Sequence, residues 1–289
     1  MKKIIVSILG IFLFLPAFAQ KPVVVVDYFT SPSCKQSSIS ALRGQVIAGI
    51  TETNRVNLID VESEASLTLE ASRRSSELAL GDQTARIGKM RTLGANYIIT
   101  GVVSTVSAEK QVLQGVTFYT GNVVYSLKVV NAEDGTLIGA ETYTYSGLSA
   151  GKANTADAAI VGTLEKAQRD MALFVSKYFK AEGTIVEMGE MKGGKAKNCY
   201  ISLGASSGIE VGQKCEVYEV KMIAGREAKS LVGVVTVEEV LAEDLSECKF
   251  VSGAKDIVAA FQAGHELRLV TKAKSEALKK AGEFLGGLL

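Results

Sequence analysis

Between residues 22 and about 180, the spacing of hydrophobic residues changes repeatedly along the chain, which is typical of a mixed α/β domain. The compact apolar run VVVVDYFT predicts a β-strand, and RVNLID predicts a second, shorter strand. Between the two strands, apolar residues recur at spacings of three and four and therefore share one face of a helix. These residues are Ile39, Leu42, Val46 and Ile50.

A long strand and a hairpin are predicted further along the same region. The stretch ANYIITGVVSTVS predicts the long strand, and SAEKQVL after it is expected to be a short connection. Two more strands flank an acidic turn from Ala132 to Gly135. In each strand, apolar or aromatic side chains alternate with polar ones, which is typical of an antiparallel hairpin with one buried face. The alternating residues are Tyr125, Leu127 and Val129 before the turn, and Thr142, Tyr143, Thr144 and Tyr145 after it.

Three further helices complete the predicted domain. Residues 63–79 and 83–92 read as helices, and Asp82 is a suitable N-cap for the second of them. The domain closes with a helix whose apolar residues follow alternating spacings of four and three. They are Ile160, Leu164, Ala167, Met171, Phe174 and Tyr178.

After residue 180 the pattern changes to short strands that glycine turns separate, as far as HELRLV. Several strands at this spacing predict a small β-barrel of about 90 residues. The last segment, 272–289, is helical in composition but contains three glycines. Its apolar residues suit docking on a partner or on the protein's own surface, and a frayed tail is the equal alternative. They are Ala277, Leu278, Ala281, Phe284, Leu285 and Leu288.

The first 19 residues have the features of a cleaved secretory signal peptide. Lys2 and Lys3 precede an apolar run of about a dozen residues, and the small-residue pattern Ala17-Phe18-Ala19 follows Pro16. The run is well short of the roughly 20 residues that a membrane-spanning helix needs. Cleavage after Ala19 leaves 270 residues (289 minus 19), and Cys34 is too far downstream to be a lipidated first residue. We therefore expect an exported protein without a lipid anchor.

The charge of the chain bears on its partners, and its cysteine content bears on disulfide bonding. Removing two lysines turns the formal charge of +1 into about −1, and charges of both signs are scattered along the chain. A nucleic-acid-binding protein would normally concentrate basic residues on one face, so no nucleic-acid partner is expected. An exported chain permits disulfides, so the four cysteines are either small core residues or include one disulfide in the C-terminal half. They are Cys34, Cys199, Cys215 and Cys248.

One motif suggests a serine hydrolase. Residues 204–208, GASSG, match Gly-x-Ser-x-Gly, the turn that presents a nucleophilic serine in many hydrolases. Such a turn leads into a helix, whereas IEVGQKCEVYEV alternates as a strand does. The only histidine, His265, is predicted in another strand of the same barrel. We therefore interpret Ser206 as a turn residue, with Gly204, Gly208 and Gly212 expected at positive-φ corners.

Two other patterns fall short of a binding site. Gly189, Gly194 and Lys195 reproduce part of a phosphate-binding loop, but Ala196 replaces the Ser or Thr that would bind magnesium, and a strand follows. Gly193-Gly194 is predicted to be a hairpin turn. A metal site would depend on carboxylates such as the pairs Glu62 and Glu64 or Glu238 and Glu239, which are expected to be solvated. No catalytic, cofactor-binding or metal-binding residue is therefore expected.

Several of these segments together resemble the family of the curli secretion protein CsgG, which is akin to the amino-terminal domain of TolB and to LpoB-type envelope lipoproteins. They are VVVVDYF, RVNLID, IGKMRTLGANYIITGVVS and YSLKVVNAEDGTLIGAETYTYSG, within residues 22–180. The resemblance implies an envelope location and a role in curli assembly or secretion. Curli-type channels extend their hairpins through the outer membrane, at about 9 to 11 residues for each strand. Because SAEKQVL is a short connection and there is no lipobox cysteine, we expect no pore.

The second region resembles the SH3-like C-terminal domain of the flagellar ring protein FlgT. The residues that carry this resemblance are YISLGASSGIEVGQKCEVYEV and VGVVTVEEVLAEDLSECKFVSG. It implies an SH3-like barrel and places Ser206 in a turn.

The predicted fold class is therefore α+β: a mixed α/β sandwich in residues 20–180, a small all-β SH3-like barrel in 181–271, and a helical tail in 272–289. The leading hypothesis is a non-enzymatic periplasmic protein, peripheral to the outer membrane, that serves as an interaction or assembly module of a secretion, fibre or envelope machine. Its partners would be envelope proteins or further copies of itself, with peripheral membrane association. The alternatives are a curli-type outer-membrane channel subunit and a serine hydrolase that uses Ser206.

Overall fold

A computed structural model describes residues 21–61, 90–91, 94–192 and 195–273. The first part is a mixed α/β unit that combines one sheet with two long helices. Its strands are β1 (Val23–Thr30), β2 (Asn57–Asp60), β3 (Tyr97–Leu113), β4 (Val116–Asn131), β5 (Leu137–Tyr145) and β6 (Lys152–Ala153). Its helices are α1 (Gln36–Glu52) and α2 (Ala156–Tyr178).

The sheet has the strand order β2-β1-β3-β4-β5, and β6 pairs with β4 outside this path. Strands β1, β2 and β3 run parallel, whereas the pairs from β3 to β5 are antiparallel. Helices α1 and α2 bury their apolar residues against one face of the sheet, in a core that includes Leu42, Tyr125 and Phe174. The apolar positions predicted to face inwards on both helices and on β4 are confirmed as members of this core or partly buried against it.

Strands β3 and β4 are longer than predicted. The expected short connection SAEKQVL is part of β3, which continues to Leu113 and pairs with β4 along its whole length. The turn consists of Gln114 and Gly115, both with positive φ (51° and 83°), as a tight two-residue hairpin turn requires. The prediction of a loop was wrong because Glu109, Lys110 and Gln111 interrupt the apolar pattern, and a solvated strand has no apolar face to reveal it.

The second part is a closed six-stranded barrel with the strand order β10-β13-β12-β11-β14-β7. All its strand pairs are antiparallel, and the interior holds a second hydrophobic core. The strands are β7 (Glu182–Met188), β10 (Asn198–Ile201), β11 (Lys214–Ile223), β12 (Arg226–Val240), β13 (Ser246–Ser252) and β14 (Glu266–Thr271). A short separate pair consists of β8 (Met191–Lys192) and β9 (Lys195–Ala196).

The predicted fold class, α+β with a small barrel, is confirmed. The barrel also contains a helix that the glycine-rich pattern did not predict, α3 (Ala254–Gln262), between β13 and β14. Antiparallel pairing of Met191 with Ala196 agrees with the predicted hairpin, although Gly193 and Gly194 lie outside the described residues.

Several predictions fall outside the described residues: the signal peptide, the helix over 63–79, the pair Glu62 and Glu64, and the tail from residue 274 onwards. Of the predicted helix over 83–92, only residues 90–91 are described, and both are helical. In the part of the chain that the structure describes, no helix combines the length and the apolar character needed to cross a membrane.

Candidate functional site

The Gly-x-Ser-x-Gly segment forms a single turn of 3-10 helix, Ala205–Ser207, and the chain then leads into strand β11. The Ser206 hydroxyl donates a hydrogen bond to the carbonyl oxygen of Glu243. His265 contacts a different residue, the carboxylate of Glu219, through Nδ1. A nucleophile elbow leads into a helix, so the strand after this turn agrees with the interpretation of Ser206 as a turn residue.

Two glycines of this segment, Gly204 and Gly208, are required by packing. Gly208 and Gly212 have positive φ (62° and 84°), as predicted, but Gly204 is extended (φ −141°), and the prediction for it was wrong. A Cβ at Gly204 would overlap the carbonyl oxygen of Ala242, and a Cβ at Gly208 would overlap the carbonyl oxygen of Thr53. The motif therefore reflects two close approaches between backbones, one of them to the α/β unit.

That second approach belongs to a junction between the two parts, formed by residues 53–55, residues 205–208, Gln213 and Thr271. Arg55 of the α/β unit extends into it and is only 6% exposed. Its guanidinium donates through Nε to the Gly208 carbonyl oxygen (3.2 Å), through Nη1 to Thr271 Oγ1 (3.2 Å), and through Nη2 to Gln213 Oε1 (2.8 Å). All three acceptors belong to the barrel part of the chain, so a single side chain connects the two parts.

The end of helix α1 directs Arg55 to this place. The helix ends at Glu52, Thr53 caps it, and Asn54 adopts a positive φ of 52°, which asparagine tolerates better than most residues. The side-chain amide of Asn54 donates to the carbonyl oxygen of Ala205 (3.0 Å). This contact anchors the helix end on the turn, and the next residue then enters the junction.

Burial and a nearby negative charge shift the pKa of Arg55 in opposite directions. Loss of solvation lowers the pKa of its guanidinium, and the nearby carboxylate of Glu210 partly offsets this effect. The group remains a cation at neutral pH because the ordinary pKa of arginine exceeds 12. A buried cation is costly unless hydrogen bonds compensate for its lost solvation, which the three barrel acceptors do here.

The barrel residues of the junction are themselves held in place. Gln213 donates through Nε2 to the carbonyl oxygens of Lys214 (3.1 Å) and Lys272 (2.8 Å), which leaves its Oε1 directed at Arg55. Thr271 Oγ1 also accepts from the backbone N–H of Ala181 (3.0 Å), where the chain enters the barrel. Arg55 was missed in the sequence because its partners lie more than 150 residues away. The only local signal was a charged residue at the start of an apolar strand.

Three of the four cysteines lie in the barrel core, and all four are free thiols. Cys199 and Cys248 are direct neighbours across β10 and β13. Burial raises the pKa of Cys199 and of Cys215 to about 12, and burial raises that of Cys248 further. The alternative of core residues is therefore confirmed over that of a disulfide, and these thiols remain protonated at neutral pH.

The other residues considered for phosphate or metal binding do not form a binding site among the described residues. Gly189 packs closely against the side chain of Asn198, and Ala196 is buried in β9. Glu238 and Glu239 are exposed, and Glu238 forms an ion pair with Lys249 (2.8 Å). Among the described residues, no three histidine, cysteine or acidic side chains are placed to hold a metal ion.

The clearest exposed feature is the ribbon tip, which we define as residues 110–118 at the end of the β3–β4 hairpin. Nearer the sheet, the hairpin is supported: Tyr119 and Thr120 pair with β6, and Gly121 packs against α2. Towards the turn from Tyr119, the two strands of the hairpin pair with each other, and Lys152 of β6 lies over the ring of Phe118 (5.9 Å). Val112, Leu113 and Val116 are 64–65% exposed there, so the tip presents apolar side chains to solvent.

No protein-family model and no curated protein sequence matches this chain. The PelC dodecamer from Paraburkholderia phytofirmans is similar in structure over 52% of this chain and 86% of that one, with 10% identity and a TM-score of 0.33. Lipoprotein GNA1162 from Neisseria meningitidis is similar over 50% of this chain and 94% of that one, with 13% identity and a TM-score of 0.37.

The C-terminal domain of LpoB from Escherichia coli is similar over 47% of this chain and 90% of that domain, with 13% identity and a TM-score of 0.29. Of these neighbours, GNA1162 is a lipoprotein by its name. Likenesses at such TM-scores carry no information about what this chain does, so the functional proposal depends on its own residues.

Proposed function

We propose that this protein is a non-enzymatic, exported cell-envelope protein that serves as an interaction or assembly module of a secretion, fibre or envelope machine. The exposed apolar ribbon tip is the observation that carries the proposal. A partner that covers the exposed side chains of Val112, Leu113 and Val116 would gain about 25 cal/mol of binding free energy for each Å² of apolar surface removed from water. A cluster of exposed apolar side chains at the end of a projecting element is typical of an interaction site.

The Arg55 junction supports this role because it connects the α/β unit with the barrel. Three hydrogen bonds and the close approach of Gly208 to Thr53 oppose separation of the two parts. A partner bound at the ribbon tip would therefore also be linked to whatever the barrel contacts. An assembly module needs such a connection between two binding surfaces.

The proposed location is the periplasm, at the periphery of the outer membrane. It depends on the signal-peptide pattern that ends at Ala19. The proposed partners are envelope proteins or further copies of the chain. Expression in a Gram-negative cell followed by fractionation tests the location, and recovery of the unprocessed chain in the cytoplasm would contradict it.

Site-specific photo-crosslinking tests the ribbon tip. A photoreactive amino acid replaces Val112 in one variant and Val161 in a control, because Val161 is exposed on helix α2, outside the ribbon tip. We expect discrete adducts in intact envelopes at Val112 and none at Val161, and loss of the adducts when Leu113 and Val116 are changed to serine. Equal labelling at both positions would contradict the proposal.

A curli-type outer-membrane channel subunit is the second candidate, and the long β3–β4 hairpin favours it. Such a channel would require the hairpin to enter the lipid phase. Extraction of membranes with carbonate separates the two functions, because a peripheral protein is released and a channel subunit remains in the membrane.

A further inference from the structure

Strand β5 forms one edge of the sheet and has a single strand neighbour, β4, among the described residues. The carbonyl oxygen of Ala140 lies 3.5 Å from the hydroxyl group of Tyr178 on α2, so it points away from β4. Since residues in a strand direct their N–H and C=O groups alternately to the two sides, Ala140, Thr142 and Thr144 direct theirs outwards. These are the groups that an additional strand would bind.

The outer edge of β5 lacks the features by which proteins usually prevent edge pairing, namely proline, outward charges and very short length. The strand has nine residues and no proline. Its only charged residue, Glu141, is bound by Lys177 and Tyr178 on the helix side of the sheet. The residues that alternate with Glu141 on the open side carry no charge; they are Ala140, Thr142 and Thr144.

The other edges of the same sheet are protected. Strand β2 has only four residues, and its last residue, Asp60, forms an ion pair with Arg43. The outer part of β3 carries the charged residues Glu109 and Lys110. Of these edges, β5 is therefore the one without a feature that prevents pairing with a further strand.

The β5 sequence is complementary to itself in one antiparallel register. With Thr142 opposite Thr142 of a second copy, Ala140 lies opposite Thr144, and Glu141 lies opposite Tyr143. Each pair shares a sheet face, and no like charges are opposed. A register centred on Glu141 would oppose two carboxylates, which is unfavourable.

The same register also covers exposed apolar residues at both ends of the strand. Leu148, in the turn after β5, is 92% exposed, and Leu137 and Ile138 at the start of β5 are exposed as well. Antiparallel pairing places the end of β5 of one copy, at Tyr145, beside the start of β5 of the other copy, at Leu137. Leu148, three residues after the strand, therefore lies at the same end of the paired strands as Leu137 and Ile138 of the other copy.

We propose that two copies of this protein associate through antiparallel pairing of their β5 strands, with Thr142 at the two-fold axis, so that one sheet continues through the dimer. The outward groups of Ala140, Thr142 and Thr144 form the intermolecular hydrogen bonds. This proposal is independent of the ribbon tip and of the partner that binds there.

Sedimentation velocity of the purified exported chain, over concentrations up to roughly 100 μM, tests the association in the micromolar range. We expect a dimer. Thr142→Lys places two lysines opposite each other and raises the dissociation constant by about tenfold or more. Leu148→Ser also weakens the dimer. Thr117→Lys is the matched control, because Thr117 is an exposed strand residue of the ribbon tip, and it leaves the dimer intact.

Circular dichroism and thermal unfolding confirm that each variant is folded. Hydrogen exchange measured on peptides that cover β5 should show protection that increases with protein concentration in the wild type and in Thr117→Lys, and not in Thr142→Lys. A wild-type monomer throughout the concentration range overturns the proposal. So does any oligomer, dimer or larger, that both Thr142→Lys and Leu148→Ser leave unchanged.

Discussion

Arg55 and Gln213 are 158 residues apart in sequence, and their side chains form a hydrogen bond of 2.8 Å between Nη2 and Oε1. The bond joins a residue three positions after the end of helix α1 to the entrance of the barrel strand β11. Gln213 is fixed by its two backbone acceptors, so Arg55 meets an acceptor that is already oriented. The contact therefore connects two parts of the molecule with separate hydrophobic cores.

We predict that Arg55→Met destabilises the protein by about 2–4 kcal/mol, because buried acceptors at Gly208, Thr271 and Gln213 lose a charged donor. Arg226→Met is the control, since Arg226 is exposed next to the β11–β12 turn. Urea unfolding and limited proteolysis measure the effect. The same unfolding midpoint for both variants would show that the junction contributes little to stability.

Gly208→Ala should destabilise the protein by more than Gly212→Ala. Both glycines have positive φ, which costs an alanine of the order of 1 kcal/mol, but only at Gly208 would the new Cβ meet another part of the chain, the carbonyl oxygen of Thr53. Ser206→Ala removes one exposed hydrogen bond and should change stability by less than about 1 kcal/mol and leave function unchanged. Thermal unfolding compares the three variants. Covalent labelling of Ser206 by a fluorophosphonate would instead support the hydrolase alternative.

Leu164→Asp should destabilise the α/β unit by several kcal/mol because it buries an unpaired carboxylate in the first core. Leu164 is 5% exposed on α2, whereas Val161, one turn earlier on the same helix, is 54% exposed. Val161→Asp should therefore change the unfolding free energy by no more than about 0.5 kcal/mol. Chemical denaturation of both variants tests the assigned helix face, and equal effects would show that the assignment is wrong.

Thiol labelling should distinguish Cys34 from the other cysteines. In the folded protein at pH 8, we expect one thiol to react with a disulfide reagent, that of Cys34, because the other three are in the barrel core and only thiolates react. Unfolding should expose all four. Fast reaction of more than one thiol in the folded state would contradict the burial described for the barrel.

The same thiols should make stability depend on pH. Their folded pKa is raised by burial, to about 12 for Cys199 and Cys215, above the value near 8.5 that unfolded cysteine has. A raised folded pKa stabilises the folded state fully below the unfolded pKa, and this contribution is lost as pH rises towards the folded pKa. We therefore expect the unfolding free energy to fall from about pH 8.5 upwards, as urea titrations at several pH values would show.

The sequence was sufficient to predict an element of the fold where burial produces a regular pattern of apolar residues. The helix faces around Leu42 and Leu164 were predicted because the 3.6-residue period is visible when one face is buried and the other is solvated. The tight turns were marked by glycine, and the barrel by its evenly spaced strands. These features depend on neighbours within one element.

Contacts between distant segments were not predictable. Arg55 gave no local signal of its role, since an arginine next to an apolar strand is usually a solvated flank. Gly204 was assigned the wrong conformation because glycine serves both positive φ and close backbone approach, and a single sequence does not separate the two. The outer part of β3 was missed because it has no buried face.

The short unsupported arms of the β3–β4 hairpin give the last prediction, that the exported protein does not conduct ions. Pairing with β6 and packing on α2 support the hairpin up to Tyr119, so the arms beyond it are residues 110–113 and 116–118. A strand that crosses a membrane needs about 9 to 11 residues, more than either arm supplies. Planar bilayers exposed to the purified protein should show no discrete conductance steps, and the protein should remain extractable by carbonate. Reproducible steps that Lys110→Glu alters would instead favour the channel, because they would require the ribbon tip to line a pore after the hairpin had separated from β6 and α2.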